Sequence, residues 1–280
     1  MNQYKLSIIT INYNNRDGLR KTIESVVNQT CKEFQYIIID GGSTDGSVEV
    51  IKEYADRIDY WVSEQDRGIY HAMNKGIDKA VGEYCIFMNS GDCLAMPNTL
   101  ERLELEVDDT DIINGNTLLY NGECWYAPKP EELSLSFFYV TTLVHQSTCI
   151  KTDLLQKFHY DETLKIVSDW KFWLQTLLLD NASYKQVNFP VSLFDMTGLS
   201  YTQVEESAEE HEFVLKQLFP ERVLKDIRNM NDSYDARLYN GIRKSRIHKT
   251  MYTINVLILR AMSLFKKGKS WTDSFPLQLK

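Results

Sequence analysis

Several features that define common protein classes are missing from this chain of 280 residues. It has no CxxC pair and an odd number of cysteines, five, so buried free thiols are expected rather than disulfides or a zinc site. No Gly-x-Gly-x-x-Gly follows the first predicted strand, which argues against a dinucleotide-dependent oxidoreductase. Internal repeats and low-complexity tracts are absent as well. The length is that of one large or two small globular domains.

Long apolar runs are also missing. Residues 1–5 lead directly into a predicted strand, without an apolar segment of signal-peptide type, so we expect the body of the chain to stay in the cytosol. The most apolar part of the tail, 251–265, is interrupted by Asn255 and Arg260 and is too short to span a bilayer comfortably.

Positive charge is scarce except at the C-terminus. Residues 243–280 contain nine Lys or Arg and one Asp, whereas the remainder contains 22 Lys or Arg against 38 Asp or Glu. The acidic body argues against a nucleic-acid partner. The basic residues of 243–269 flank the apolar stretch, which suits a helix lying on an anionic membrane surface; packing on the protein's own domain is the alternative. The expected location is therefore cytoplasmic, peripheral on the inner face of the cell membrane.

The first half of the chain alternates short apolar runs with helical patterns. Apolar runs bounded by Gly, Asn and Asp are typical of buried strands, and apolar residues three or four apart are typical of helices. This alternation predicts right-handed βαβ units and a parallel sheet. The predicted strands are 6–11, 36–39, 60–63 and 84–88, and the predicted helices are 18–29, a helix capped by 43–47 that runs to about residue 54, and 68–80.

The second half is less regular. The predicted fold is α/β, a mostly parallel central sheet flanked by helices, with a C-terminal helical extension. The predicted domains are 1–204, in halves 1–100 and 101–204, and the extension 205–280. The predicted strands are 111–116, 117–120, 123–126 and 182–189, and the predicted helices are 168–179 and 205–228.

Two carboxylates follow predicted strands. Asp40 comes directly after 36–39, and Asp92 follows 84–88 through Asn89, Ser90 and Gly91. In open α/β sheets, ligands bind in the crevice outside the carboxyl ends of the strands. Two acids and an Asn-rich loop at that edge suit a sugar, a ribose and a divalent cation.

Six sequence blocks together resemble a family 2 inverting glycosyltransferase, in particular the bacterial enzymes that build surface polysaccharides. The resemblance covers about residues 5–200 and implies an A-type glycosyltransferase fold, a nucleotide-diphosphate sugar donor and a divalent metal, Mg²⁺ or Mn²⁺. It gives donor binding to the half 1–100 and acceptor binding to the half 101–204. The blocks are SIITINYNN from Ser7, IDGGSTDG from Ile39, SEQDRGIY from Ser63, MNKG from Met73, NSGD from Asn89 and SDW from Ser168.

The resemblance implies that Asp40 accepts a hydrogen bond from a uracil N–H or a ribose hydroxyl, beside Gly41 and Gly42, where backbone can approach a ligand closely. A helix N-cap is the structural alternative for Asp40. Residues that leave the first strand at the same edge are further candidates for nucleotide binding, and an aromatic ring there can stack on a base. They are Thr10, Asn12 and Tyr13.

Arg67 and Lys75 are candidates for contacts to the nucleotide or its diphosphate, with surface salt bridges as the alternative. The resemblance also gives Asn89 and Gly91 to nucleotide-sugar binding. His71 stands where the family commonly has Asp, and no role is assigned to it.

Asp92 is the predicted metal ligand, since it is the only ionised residue of a block that is usually richer in Asp. A strand-closing turn is the structural alternative. Asp169 is the predicted catalytic base, which takes the proton of the acceptor hydroxyl; a plain helix cap is the alternative. His145 matches a place where the family lines its acceptor or metal region, and 197–200 resembles a block near the diphosphate.

The predicted function is metal-dependent, inverting transfer of a sugar from a nucleotide-diphosphate sugar, with UDP favoured, to a lipid-linked or oligosaccharide acceptor. A catalytically inactive nucleotide-sugar-binding protein and a sugar nucleotidyltransferase on a related fold are the alternatives. The nucleotidyltransferase would normally carry a Gly-rich, Arg- or Lys-bearing loop after its first strand, and 12–18 has one Gly and one Arg.

Overall fold

The computed structural model describes residues 4–196 and 203–232. The chain divides into two compact units, 1–219 and 220–280. The predicted 197–200 block and the basic segment 243–269 both lie outside the described residues. No helix among the described residues is both long enough and apolar enough to cross a membrane.

Strands and helices alternate through the first unit. The strands are β1 Tyr4–Asn12, β2 Gln35–Asp40, β3 Tyr60–Ser63, β4 Gly82–Phe87, β5 Cys93–Leu94, β6 Ile112–Leu119, β7 Cys124–Trp125, β8 Thr148–Lys151 and β9 Tyr184–Phe194. The helices are α1 Arg16–Val27, α2 Ser47–Glu53, α3 Ile69–Lys79, α4 Thr99–Glu106, α5 Leu135–Val140, α6 Thr152–Phe158, α7 Ser168–Trp173 and α8 Val204–Leu218, followed in the second unit by α9 Glu221–Asp232. Short 3₁₀ turns occupy Ala55–Arg57, Pro130–Glu132 and His145–Ser147.

One mixed sheet joins all the strands of the first unit. Its order is β3-β2-β1-β4-β8-β6-β9-β5, and β7 pairs with β6 at the side. The first four strands are parallel, as the βαβ pattern predicts. β8 runs antiparallel to both of its neighbours, β4 and β6. The second half is therefore a mixture of parallel and antiparallel pairs.

Helices cover both faces of the parallel part, because its strands are apolar on both sides. Every residue of β2 is buried. Leu19 and Ile23 of α1 pack against one face in a cluster with Ile8 and Ile38. α3 lies on the other face so closely that a Cβ on Gly76 would come 2.4 Å from Ile9 Cγ2. This packing leaves the carboxyl ends of β1, β2 and β4 at one edge.

Three predicted elements differ from the structure. The segments 111–116 and 117–120 form one strand, β6, whose pairing with β9 is irregular between Asn114 and Thr117. The helix predicted over 168–179 changes from α to a π-helix at Leu174. The helix predicted over 205–228 is two helices, because Pro220 lacks the N–H that helical hydrogen bonding needs and disfavours helical backbone at Phe219.

Candidate active site

Asp40 ends β2 and is completely buried. Its carboxylate accepts hydrogen bonds from Asn12 Nδ2 at 2.7 Å, from Ser63 Oγ at 2.6 Å, and from the N–H and hydroxyl of Ser43 at 2.9 and 2.6 Å. Burial acts to raise the pKa of Asp40, but these hydrogen bonds outweigh it and the pKa is lowered. The ionised side chain therefore fixes the loop that follows β2 against β1 and β3.

Asn12 carries a buried oxygen next to this carboxylate. Its amide nitrogen is oriented by Asp40 Oδ1 and by Ser43 Oγ at 3.2 Å, and among the described residues its Oδ1 has no hydrogen-bond partner. Buried polar atoms are nearly always paired. An unsatisfied acceptor at the end of β1 is thus suited to a donor group of a ligand.

Tyr13 and Asp66 both lie close to Gly41. A Cβ at Gly41 would come 3.2 Å from both Asp66 Oδ2 and Tyr13 Cδ2, so a larger residue here would have to displace these side chains by a few tenths of an ångström. Tyr13 is 69% exposed, which leaves its ring accessible beside the loop. Asp66 was not among the residues that the sequence predicted.

Thr10 lies within β1 rather than at its end. It is fully buried, and its hydroxyl lies 3.1 Å from the Tyr36 hydroxyl. The structure therefore places Thr10 in the sheet, and of the three candidates on β1 and its loop only Asn12 and Tyr13 lie at the edge.

Arg67 and Lys75 both pair with carboxylates. Arg67 is well exposed and contacts Glu162 at 2.5 Å. Lys75 is largely buried and contacts Asp66 at 2.5 Å and Glu64 at 2.8 Å. These pairs are the salt bridges weighed above as the alternative, and contact of either cation with a diphosphate stays a prediction.

His71 joins the same cluster. Its Nδ1 lies 3.2 Å from Asp66 Oδ1 and accepts the Arg67 backbone N–H at 3.2 Å. His71 thus accepts a backbone N–H beside Asp66, whereas an Asp at this position would place a second carboxylate next to it.

The Asn89–Asp92 turn closes β4 and is anchored to α1. Gly91 has a φ of +109°, a conformation that favours glycine, and its N–H donates to Thr22 Oγ1 at 3.0 Å. The Thr22 hydroxyl in turn donates to the Asp92 carbonyl at 2.7 Å. Gly91 therefore shapes this turn, and a sugar contact from it stays a prediction.

Asp92 points inward and is 4% exposed. Its Oδ1 accepts the Asp195 backbone N–H at 2.8 Å, and its Oδ2 accepts Gln146 Nε2 at 2.9 Å. Burial raises the pKa of Asp92 to about 6, with these hydrogen bonds and His145 opposing the rise and the charge of Asp195 adding to it. Asp195 follows β9, so the two acids lie 103 residues apart in the sequence.

Asp169 lies in the first turn of α7 with 17% of its side chain exposed. Its Oδ2 lies 3.0 Å from His145 Nδ1, and its Oδ1 lies 3.1 Å from the Tyr70 hydroxyl, which also donates to the Ile166 carbonyl at 2.6 Å. Burial acts to raise the pKa of Asp169, but the hydrogen bond and charge of His145, with the Trp170 N–H and Tyr70, lower it overall. Asp169 is therefore ionised at neutral pH.

The 3₁₀ turn His145–Ser147 connects the two predicted acids. His145 Nε2 lies 3.0 Å from Asn89 Nδ2 on the side opposite Asp169, while Gln146 holds Asp92. The imidazole therefore bridges the Asp169 carboxylate and the Asn89 amide. Among the described residues Asn89 Oδ1 is buried without a partner. Asn89 and Asp92, predicted from one block, and Asp169, predicted from another, thus meet around one turn.

α8 supports the segment that carries Asp169. The Glu210 carboxylate accepts the backbone N–H groups of Lys165, Ile166 and Val167 at 2.7 to 3.2 Å. His211 packs edge-on against Trp170, with ring centroids 4.4 Å apart. Sequence reasoning missed Glu210, as it missed Asp195, because neither lies in a motif or at a regular spacing from one.

The first unit has a mixed α/β architecture in which Asp92 and Asp169 approach each other through the His145–Ser147 turn. The family model described as glycosyl transferase family 2 matches residues 7–167, more than half of the chain. The chain therefore belongs to glycosyl transferase family 2 and is a glycosyltransferase, which confirms the predicted family, fold and enzyme class.

Relatives support this membership. An uncharacterized glycosyltransferase of Methanocaldococcus jannaschii is 31% identical over 195 residues, which cover 64% of this chain and 67% of the relative. A PGL/p-HBAD biosynthesis glycosyltransferase of Mycobacterium bovis is 26% identical over 173 residues, 59% of this chain and 67% of the relative.

Solved structures show the same fold at low sequence identity. S. aureus TarS 1–349 in complex with UDP-GlcNAc superposes with a TM-score of 0.63 at 20% identity, over 99% of this chain and 76% of TarS 1–349. The mannosyltransferase PcManGT of Pyrobaculum calidifontis, in complex with GDP-Man and Mn²⁺, gives a TM-score of 0.56 at 14% identity, over 94% and 81% of the two chains.

Proposed function

We propose that this glycosyltransferase transfers a sugar from a nucleotide-diphosphate sugar to a lipid-linked or oligosaccharide acceptor, with inversion at the anomeric carbon, in bacterial surface polysaccharide synthesis. The observation that carries the proposal is the His145–Ser147 turn, which holds Asp92 on one side and Asp169 on the other. An acid beside the donor's diphosphate and an acid beside the acceptor are the two groups that this reaction requires. The M. bovis relative, named for PGL/p-HBAD biosynthesis, favours a glycan or glycolipid product.

The donor's nucleotide would bind at the ends of β1 and β2. Asn12 Oδ1 is a buried acceptor suited to a base N–H, and the exposed Tyr13 ring suits stacking. The TarS complexes with UDP and UDP-GlcNAc favour UDP, whereas the PcManGT complex contains GDP-Man. UDP is the nucleotide we propose.

A divalent cation, Mg²⁺ or Mn²⁺, fits the oxygen atoms present. No group of three or more His, Cys, Asp or Glu side chains among the described residues is arranged to hold a metal by itself. Asp92 and the unpartnered Asn89 Oδ1 would hold the ion together with phosphate oxygens of the donor, as is common for Mg²⁺. When bound, such an ion neutralises charge on the departing diphosphate.

Asp169 acts as the base in the proposed reaction. The acceptor hydroxyl gives its proton to an Asp169 oxygen as its own oxygen bonds to the anomeric carbon, and the bond from that carbon to the diphosphate oxygen breaks. His145 and Tyr70 orient the carboxylate, and its lowered pKa keeps it ready to accept the proton at neutral pH.

The test compares Asp169→Asn and Asp92→Ala with the parent enzyme. We expect Asp169→Asn to lower kcat by about 10²- to 10⁴-fold, the usual contribution of a general base, with nucleotide binding retained. We expect Asp92→Ala to remove the effect of Mn²⁺ on the thermal stability of the protein in the presence of UDP.

A thermal-shift screen of UDP-, GDP- and dTDP-sugars, with and without Mn²⁺, identifies the donor for the activity measurements. Undiminished transfer by both variants would overturn the proposed assignment. Stabilisation by GDP or dTDP alone would reject UDP but leave the proposed reaction intact.

A further inference from the structure

An aromatic surface borders the site on the side away from the proposed nucleotide. It consists of Tyr120, at the turn after β6, Trp125 of β7 and Phe194 at the end of β9. Tyr120 and Trp125 are 54% and 36% exposed. The Trp125 and Phe194 rings lie 6.0 Å apart at an angle of 40°. Two of the three residues are therefore partly exposed to solvent.

The aromatic surface is continuous with the predicted metal ligand. The Tyr120 hydroxyl donates to the Gly91 carbonyl at 3.3 Å, one residue before Asp92. Phe194 directly precedes Asp195, whose N–H donates to Asp92. Three strands, β6, β7 and β9, thus bring the rings to the turn where the diphosphate would lie.

Sheet order separates this surface from the nucleotide site. Asn12 and Tyr13 follow β1, whereas the aromatic surface is built on β6, β7 and β9, on the far side of β4 and β8. A molecule on the aromatic surface can therefore reach the Asp92 turn without crossing the ends of β1 and β2.

The chemistry of the three side chains favours a saccharide. The face of an aromatic ring is electron-rich and suits the polarised C–H groups of a pyranose, and the Tyr120 hydroxyl, which donates to Gly91, can still accept a hydrogen bond. A lipid chain would need an aliphatic lining. Among the described residues of the first unit, the exposed aliphatic side chains Val81, Leu105, Val140 and Leu179 lie on other elements, and the exposed Met196 lies two residues after Phe194.

We propose that the aromatic surface of Tyr120, Trp125 and Phe194 binds pyranose rings of the acceptor, so that the acceptor is recognised through its saccharide part. This inference rests on the proposed transfer reaction and names the acceptor class. The ring faces give affinity with little choice among hydroxyl patterns, so linkage specificity belongs to the polar groups near Asp169.

The experiment uses the full chain and the variants Trp125→Ala, Trp125→Phe and Phe213→Ala. Phe213 is an exposed aromatic residue of α8 and provides the matched control. Binding of chitotetraose, cellotetraose and mannotetraose is measured by calorimetric titration in the presence of UDP and Mn²⁺. Phosphatidylcholine vesicles containing a polyprenyl phosphate provide the lipid arm, and UDP titration reports the donor site.

We expect at least one tetrasaccharide to bind the parent protein and Trp125→Ala to weaken that binding by about tenfold, as loss of an aromatic stacking contact does. Trp125→Phe retains a ring and should recover most of the affinity, and Phe213→Ala should bind like the parent. UDP affinity should be the same in all four proteins.

Absence of tetrasaccharide binding, or equal binding by Trp125→Ala, would overturn the inference, as would a Trp125→Ala variant that loses only the polyprenyl phosphate vesicles. If the parent protein does not bind UDP, this separate result would contradict the proposed function instead. Folding of each variant is checked by its thermal transition.

Discussion

Two aspartates of the site have opposite pKa shifts for reasons that the structure makes explicit. Burial dominates at Asp92 and raises its pKa to about 6, while hydrogen bonds and the charge of His145 overcome burial at Asp169 and lower its pKa. As the proposed metal ligand, Asp92 would have its buried charge neutralised by the cation. A carboxylate that must be ionised before each turnover gains from a fixed donor.

The His145→Gln variant tests the dependence of Asp169 on its imidazole. Loss of the His145 hydrogen bond and charge leaves burial as the main influence, so the pKa of Asp169 should rise. Because the base must be ionised, the loss of activity on lowering the pH should begin at a higher pH in the variant than in the parent enzyme. We expect the acidic limb of the kcat/KM profile to move upward by about one to three pH units.

His159→Gln is the matched control, since His159 pairs with Asp78 on the surface. An acidic limb that stays in place in His145→Gln would show that the imidazole does not set the ionisation of the base.

Asp92 should make the protein less stable at neutral pH. Its pKa is about 6 in the fold, against 3.8 ordinarily, so the cost of the buried charge is fully present above pH 6 and disappears as the pH falls toward 4. That difference corresponds to about 3 kcal/mol at most. In metal-free buffer we expect Asp92→Asn to raise Tm by a few degrees at pH 8 and to have a much smaller effect at pH 4.5.

The Asp92→Asn side chain can keep both hydrogen bonds, because Gln146 can rotate its amide to present an oxygen. Thermal unfolding at the two pH values checks the prediction. A Tm at pH 8 equal to or below that of the parent would contradict it.

At the scale of elements, α8 is part of the machinery that holds Asp169. Glu210 satisfies three successive N–H groups just before α7, and the Lys171 ammonium group, largely buried, contacts Asp161 at 2.6 Å and Gln217 Oε1 at 2.8 Å. A helix placed outside the predicted catalytic domain thus supports the proposed base.

Glu210→Ala tests this support. Three N–H groups lose their acceptor, so we expect the free energy of unfolding to fall by about 2 kcal/mol or more. Since Asp169 loses rigid support, kcat should fall several-fold while UDP affinity is unchanged. Urea denaturation and donor turnover measure the two effects.

Glu209→Ala, an exposed carboxylate on the same helix, should behave like the parent protein. A Glu210→Ala enzyme with unaltered kcat would show that α8 stabilises the fold without positioning the base.

The sequence predicts elements well where local pattern and tertiary environment agree. β3 occupies the predicted residues 60–63, and β2 extends the apolar run 36–39 by one residue at each end. The break at Pro220 was readable from the residue type and was missed because the amphipathic pattern continues across it. The π-helix from Leu174 has no comparable local signal.

The sequence likewise predicts those site residues that local pattern locates, and not their distant partners. Strand ends locate Asp40 and Asp92, because a parallel sheet gathers its carboxyl ends at one edge. The partners of Asp92 come from distant parts of the chain. Gln146 lies just before β8 and Asp195 just after β9, and no local pattern specifies where these two strands stand in the sheet.

At the scale of the whole molecule, the separation of charge between body and tail is the main feature that the site does not explain. Residues 243–280 are strongly basic, and the remainder is acidic. Basic clusters bind anionic lipid headgroups with about 1 kcal/mol for each Lys or Arg near the surface. We therefore propose that the tail brings the enzyme to an anionic membrane.

A chain ending at residue 242 tests the role of the tail. We expect the full chain to sediment with phosphatidylserine vesicles at low salt and not to sediment with phosphatidylcholine vesicles. NaCl at about 0.5 M should release it, because salt at that concentration screens the attraction between charges. The truncated chain should stay in the supernatant with both. Equal sedimentation of the two chains would reject the proposal.

β8 has a consequence for how such enzymes can diversify. It follows the His145–Ser147 turn in the chain, yet it is hydrogen-bonded to β4 on one side and to β6 on the other. If everything after residue 100 is replaced by the sequence of a relative, the imported β8 must still pair with β4 of this protein. Recombination at that point should therefore be poorly tolerated, and new acceptor preferences should arise more easily by changes confined to the β6–β7 hairpin.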